Sequence, residues 1–119
     1  MILDEIKAKL TEIDPKVFYG MADDSEITDE WNYIVFMRKG VSFSDSKRSF
    51  TDRFTVAVIR EDYIPEGMDG EIIDKLCAID GVRVADPDFQ YNYVQKPNTN
   101  TVVEILTMEF VRARKRVVL

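Results

Sequence analysis

The chain holds few of the residues that enzymatic chemistry needs. It has no histidine, so the commonest general base is missing, and with it the Ser-His and Cys-His nucleophile pairs. Most hydrolytic mechanisms end there. Cys77 is the only cysteine, which excludes an intramolecular disulfide, and without histidine the usual zinc sites are excluded too; the residue reads as a small buried hydrophobe. Carboxylates are plentiful. Asp86-Pro87-Asp88 and Asp23-Asp24 could in principle bind Mg²⁺, which takes one or two carboxylates together with water and phosphate. Neither pair has a metal-loop spacing, and a turn and a solvated loop account for them. Gly20, Gly40, Gly67, Gly70 and Gly81 are scattered, so no phosphate-cradling loop is formed. The expectation is no catalytic residue, no metal and no cofactor.

Two further features bear on binding. Phe89, Tyr91 and Tyr93 alternate along one stretch and could stack bases, but their neighbours are Asp86, Asp88, Gln90 and Asn92 where a nucleic-acid binder places Lys and Arg. A core role is expected for them. Arg112, Arg114, Lys115 and Arg116 fall within five residues near the C-terminus, in a chain whose formal charge is −6. An acidic protein does not hold phosphates in general, because that binding needs a net basic surface. The basic run is a solvated end, a nucleic-acid contact, or an arm that docks on an acidic surface of a neighbouring subunit.

The elements that position these residues follow from periodicity. With 119 residues, 45% apolar and 32% charged, the chain is sized for one domain with one core, spanning 1–119 with a basic tail at 112–119. No apolar run approaches the roughly 18 residues that cross a bilayer, and the acidic start Met1-Ile2-Leu3-Asp4-Glu5 is unlike a signal peptide, so folding in the cytoplasm is expected. Ile2, Leu3, Ile6, Leu10 and Ile13 recur at helical spacing and predict a helix ending before Pro15. Lys16 to Tyr19 is a short strand candidate. The stretch from Ala22 to Glu30 holds five acids and reads as a surface loop.

Trp31 to Met37 is apolar on both faces apart from Asn32, as in a strand covered on both sides. Phe50 to Ile59 is the longest strand candidate. Between the two, Arg38 to Ser49 reads as a long polar hairpin loop, and loops of about a dozen residues are usually functional or disordered. Met68, Ile72, Ile73, Leu76, Cys77 and Ile79 predict a second helix stopped at Gly81. Val82 to Val84 is brief; Phe89 to Tyr93 reads as a half-buried strand; Val102 to Phe110 is the last. Helices separated from a set of strands predict an α+β fold, a mainly antiparallel twisted sheet with two helices packed on one face.

Several phrases, in order, resemble a family. They are Val17-Phe18-Tyr19-Gly20, Trp31-Asn32-Tyr33-Ile34-Val35-Phe36, Phe54-Thr55-Val56-Ala57-Val58-Ile59, Glu61-Asp62-Tyr63-Ile64-Pro65-Glu66-Gly67, Gly81-Val82-Arg83, Tyr91-Asn92-Tyr93 and Lys96-Pro97-Asn98-Thr99-Asn100-Thr101-Val102-Val103-Glu104. The pattern is similar to the tail terminator, or tail completion, proteins of long-tailed bacteriophages of Gram-positive bacteria, and it covers nearly the whole chain. It is built from structural residues and has no catalytic signature.

The resemblance implies a non-enzymatic virion protein, assembled in the host cytoplasm, that forms a homohexameric ring on the last ring of tail-tube protein. Such a ring ends tail growth and offers the docking face for head-side connector proteins, with DNA only as passing cargo. Neighbour contacts are expected in the long hairpin loop (Arg38, Lys39, Phe43, Lys47, Arg48), the chain end (Arg112, Arg114, Lys115, Arg116) and the acidic loop (Asp23, Asp24, Glu26). Two alternatives stay open. One is a head-tail joining or head-completion connector on the portal side; the other is a small host-directed binding module.

Overall fold

The structure, a computed structural model, describes residues 1–23, 30–45 and 49–115, with Lys115 described by its backbone alone. The order of elements is α1 (Ile2–Thr11), β1 (Val17–Tyr19), β2 (Asn32–Ser44), β3 (Ser49–Glu61), α2 (Met68–Cys77), β4 (Val82–Val84), β5 (Gln90–Gln95) and β6 (Val102–Lys115). The strands form one sheet in the order β1-β2-β3-β6-β4, and β5 also pairs with β6. All pairs are antiparallel except β1 with β2. The α+β class expected from the pattern is what the chain adopts. No described helix is long and apolar enough to cross a membrane.

Both helices lie on one face of the sheet. Ile2, Ile6 and Leu10 of α1 are spaced by four residues and are buried, as are Met68, Ile72 and Leu76 of α2. They close over Ile34 and Phe36 of β2, Phe54, Val56 and Val58 of β3, and Leu106, Met108 and Phe110 of β6. Each such side chain contributes about 1.5–3 kcal/mol when fully buried. Cys77 follows Leu76 on the flank of this stripe and is exposed, which corrects the expectation that it is buried. Gly81 (φ 81°) turns the chain from α2 into β4, and a Cβ there would sit 3.3 Å from Arg112 Cγ.

A second, smaller apolar cluster forms on the opposite face from Phe18, Val35, Ile59 and Val103, with Trp31, Tyr33, Met37 and Ile105 packed against it. This explains why β2 is apolar at both alternations. At its rim Glu61 accepts hydrogen bonds from Lys96 Nζ (2.6 Å) and from the Trp31 N–H (3.1 Å), while the ammonium lies 5.9 Å from the Trp31 ring centre. The hydrogen bond from Lys96 and then that from Trp31 hold the Glu61 carboxyl below its usual 4.5. A depressed carboxylate stabilises the fold above its unfolded pKa, and that contribution fades as pH falls through the folded value. Glu61→Gln is therefore expected to cost roughly 0.5–1 kcal/mol at pH 7 in urea unfolding. The gap from wild type should close in acid, as the pH falls below the usual 4.5 and through the lowered folded value.

Two expectations about the loops are corrected. The stretch from Arg38 to Ser49 is largely strand: Val41 pairs with Asp52, Ser42 with Thr51, Phe43 with Phe50 and Ser44 with Ser49, and a bulge between Arg38 and Gly40 absorbs Lys39. The basic run is no loose tail at its start, because Arg112 to Lys115 continue β6 opposite Asp52 to Ser49. β3 runs between two long partners and gives each a ladder, so β2 and β6 extend together. The result is a three-stranded wing that projects past the helices. It makes the molecule 53 Å long and raises its radius of gyration to 15.7 Å, against roughly 13.5 Å for a compact chain of this length.

Candidate interaction surface

The wing gathers residues that the sequence scatters. Side chains alternate along a strand, so Phe50 and Asp52 stand on the same side of β3 as the core residues Phe54 and Val56. Their partners across the ladders are Phe43 and Val41 on one side and Arg114 and Arg112 on the other. Arg38, opposite Phe54, completes the group. Val41 is 58% exposed and Phe43 45%.

Asp52 organises the cations. Arg114 Nε donates to its Oδ2 at 2.7 Å, and Arg112 lies 3.7 Å from the same oxygen. Arg114 also stacks over the Phe50 ring at 4.4 Å, and Phe50 meets Phe43 with ring centres 4.9 Å apart. A cavity of about 350 Å³ opens beside them, lined by Ile2, Val41, Phe54 and by the arginines 38, 53, 112 and 114 around Asp52. Arg112 Nε is buried without a hydrogen-bond partner among the described residues. Arg112 and Arg114 thus share one carboxylate, and Arg38 stands on the same side, in a chain of net charge −6. The arrangement is suited to an acidic or aromatic surface of another protein, since guanidinium binds carboxylates in a fork and stacks on rings.

The expected contact residues separate as follows. Arg38, Phe43, Arg112 and Arg114 share the wing. Lys39 points to the other face, where it pairs with Glu109. Asp23 is exposed and belongs to the segment after β1, not to the wing. Lys115 lies opposite Ser49 at the end of β6. Asp24, Glu26, Lys47, Arg48 and Arg116 lie outside the described residues, as does most of the acidic loop.

Sequence reasoning missed a second exposed feature. The strand from Phe89 to Tyr93, expected to be half buried, forms an edge in which every residue of β5 is exposed; Phe89 alone packs on the core. Tyr91 (46% exposed) and Tyr93 (60%) stand on the helix-bearing side, opposite Leu106 and Glu104. The Tyr93 hydroxyl donates to Glu104 Oε2 at 2.8 Å, and Glu104 Oε1 accepts the Ile64 N–H at 2.8 Å. Alternating aromatics look the same in sequence whether they meet a core or a partner. The clue was the stretch itself, QYNYVQ, which has tyrosines where a core strand would carry Val, Ile or Leu.

Elsewhere the chemistry is sparse. Asp86 Oδ1 accepts the Asp88 N–H at 2.9 Å, which is the turn expected of Asp-Pro-Asp. Among the described residues no group of three or more His, Cys, Asp or Glu side chains is placed to hold a metal ion. No protein-family model matches the sequence, and no curated protein matches it.

Proposed function

We propose that this chain is a structural assembly subunit of a long-tailed phage, a tail terminator that caps the tail tube as a ring and presents the docking face for the head. It acts through surfaces and has no catalytic role. The observation that carries the reading is the wing: three strands extend beyond the core to display Val41 and Phe43 among arginines. Aromatic residues and arginine are the types enriched at the centres of protein interfaces. A strand pair 13 residues long on each side, with half its length outside the core, has little use in a monomer. The resemblance of the phrases from Val17 to Glu104 to tail terminators names the assembly.

The test uses the full chain and polymerising tail-tube protein. Added at a low molar ratio, the chain is expected to shorten the tubes seen by negative-stain microscopy and to sit at one end of each. Tubes of unchanged length with bare ends would contradict the terminator role. Binding to purified portal rings instead would assign the chain to the head side.

A further inference from the structure

The sheet has two open edges of the same kind. On one side, β1 covers β2 only from Ile34 to Phe36, so β2 from Gly40 to Ser44 has no strand beyond it among the described residues. On the other, β5 pairs only with β6 among the described residues, which leaves its outer edge without a strand along Gln90–Gln95. Natural sheets blunt such edges with Lys, Pro or inward charges, because an open row of N–H and C=O groups templates pairing with another chain. Neither of these stretches carries a charged residue or a proline.

The edges also match in direction and in the faces they present. From β2 through β3 and β6 to β5 every pairing is antiparallel, so a second copy in the same orientation would offer its β2 antiparallel to β5. Both strands then keep their helix-bearing sides on one face. That sets Val41 and Phe43 against Tyr91 and Tyr93, while Gly40, Ser42 and Ser44 fall on the side of Gln90, Asn92 and Val94. Aromatic and β-branched cross-strand pairs are favourable, and small polar residues meet polar ones on the reverse. Charge agrees as well. Arg38, Arg112 and Arg114 flank Val41 and Phe43, whereas Glu104 stands beside Tyr91 and Tyr93 and no Lys or Arg occurs from Val84 to Gln95.

We propose that β5 of one copy adds to the outer edge of β2, Gly40 to Ser44, of a second copy of this chain, joining the subunits head to tail through a continuous antiparallel sheet. The inference rests on the assembly reading above and names the contact. Two different patches on each subunit make the contact heterologous, the type that generates rings when the rotation closes. The open part of β2 lies about eight residues further along the sheet than the level of β5, a step of roughly 27 Å set against about 19 Å for four strand spacings. Tilted strands absorb a stagger of this kind when a sheet closes.

The test compares two double variants of the full chain, each altered only at exposed positions. Val41→Asp/Phe43→Asp disables the β2 edge; Tyr91→Lys/Val94→Lys disables the β5 edge. Serine pairs at the same positions serve if either charged variant melts below wild type. Native mass spectrometry over a concentration series is expected to show each variant alone needing at least about tenfold more protein to associate than wild type. An equimolar mixture is expected to form a dimer of one of each and nothing larger, because one intact contact remains. If wild type assembles and the β5 variant assembles equally well, or the mixture stays monomeric, the contact lies elsewhere and the inference fails while the ring reading survives. A wild type that stays monomeric at every concentration and on tail tubes alike overturns both.

Discussion

Truncating Phe110 to alanine is expected to destabilise the fold by about 3–5 kcal/mol, the range for a large aromatic removed from a core that cannot collapse around the hole. Phe110 is 1% exposed and stands on β6 where the covered body of the sheet gives way to the wing. Its ladder partners are Phe54 on β3 and Val84 on β4. Three strands therefore meet at this ring, and none can shift without opening its ladder. For a domain of this size each kcal/mol lowers Tm by roughly 4 °C, so the loss should exceed about 10 °C in a thermal melt. Phe50→Ala, out on the wing where the ring is only partly buried, should lower Tm by no more than about 4 °C. Equal losses at the two positions would contradict the division into core and wing.

The second large effect is expected at Asp14, the one buried charged residue among the described positions, at 4% exposure. Its Oδ1 accepts the Lys16 N–H at 2.9 Å across Pro15, and its Oδ2 accepts from Arg60 of β3 at 2.8 Å. The carboxylate thus fixes the turn out of α1 and ties it to the sheet. Asp14→Ala leaves the Arg60 guanidinium, already with an unsatisfied buried Nε, without its counter-charge. Removing one partner of a buried pair costs about 3–5 kcal/mol, and because Arg60 keeps some solvent access the expected value is near 3. Replacing both, as Asp14→Asn/Arg60→Met, should recover part of the loss, since an apolar substitute avoids the stranded charge. A double variant less stable than Asp14→Ala by urea unfolding would show that Arg60 has a separate structural role.

The parts of the fold that were legible in sequence are those where one physical cause dominates. Ile2, Ile6 and Leu10 repeat at the period of a helix and are buried by it; Ile34, Val35 and Phe36 are apolar at every position because both faces of β2 are covered there. The wing was harder to see. Arg38 and Lys39 at its base, with Ser42, Ser44 and Ser49 beyond, give a loop composition. The alternation Val41-Ser42-Phe43-Ser44 that marks a strand is offset by the bulge at Lys39. What makes these residues a strand is the ladder supplied by β3, which is itself held by β6, a contact about 60 residues away in sequence that no local pattern contains. The basic run looks like a loose tail in sequence for the same reason, as Arg112 and Arg114 are held by Asp52 and Phe50 across that ladder. Exposure was the other failure. Tyr91 and Tyr93 alternate as core residues do, yet β5 lies at the sheet's margin, where the helices give them no cover.

Much of the candidate surface was legible as residue types and not as a place. Arg38, Phe43, Arg112 and Arg114 come from two separate segments, and the ladders of β3 bring them to one side of the wing. Lys39 adjoins the same group in the chain, and it turns to the opposite face to meet Glu109. Adjacent residues in a strand serve opposite surfaces, so a contiguous list of candidates divides in two as soon as the segment is known to be extended.

The most direct test of the central claim is the mass of the full chain in solution as its concentration rises, read by native mass spectrometry and by negative-stain images of the dominant species. The account predicts a closed ring, with six copies for a tail terminator, that is lost on Val41→Asp/Phe43→Asp while the melting temperature stays within a few degrees of wild type. A chain that remains a monomer at the highest concentrations and on tail tubes alike would contradict it.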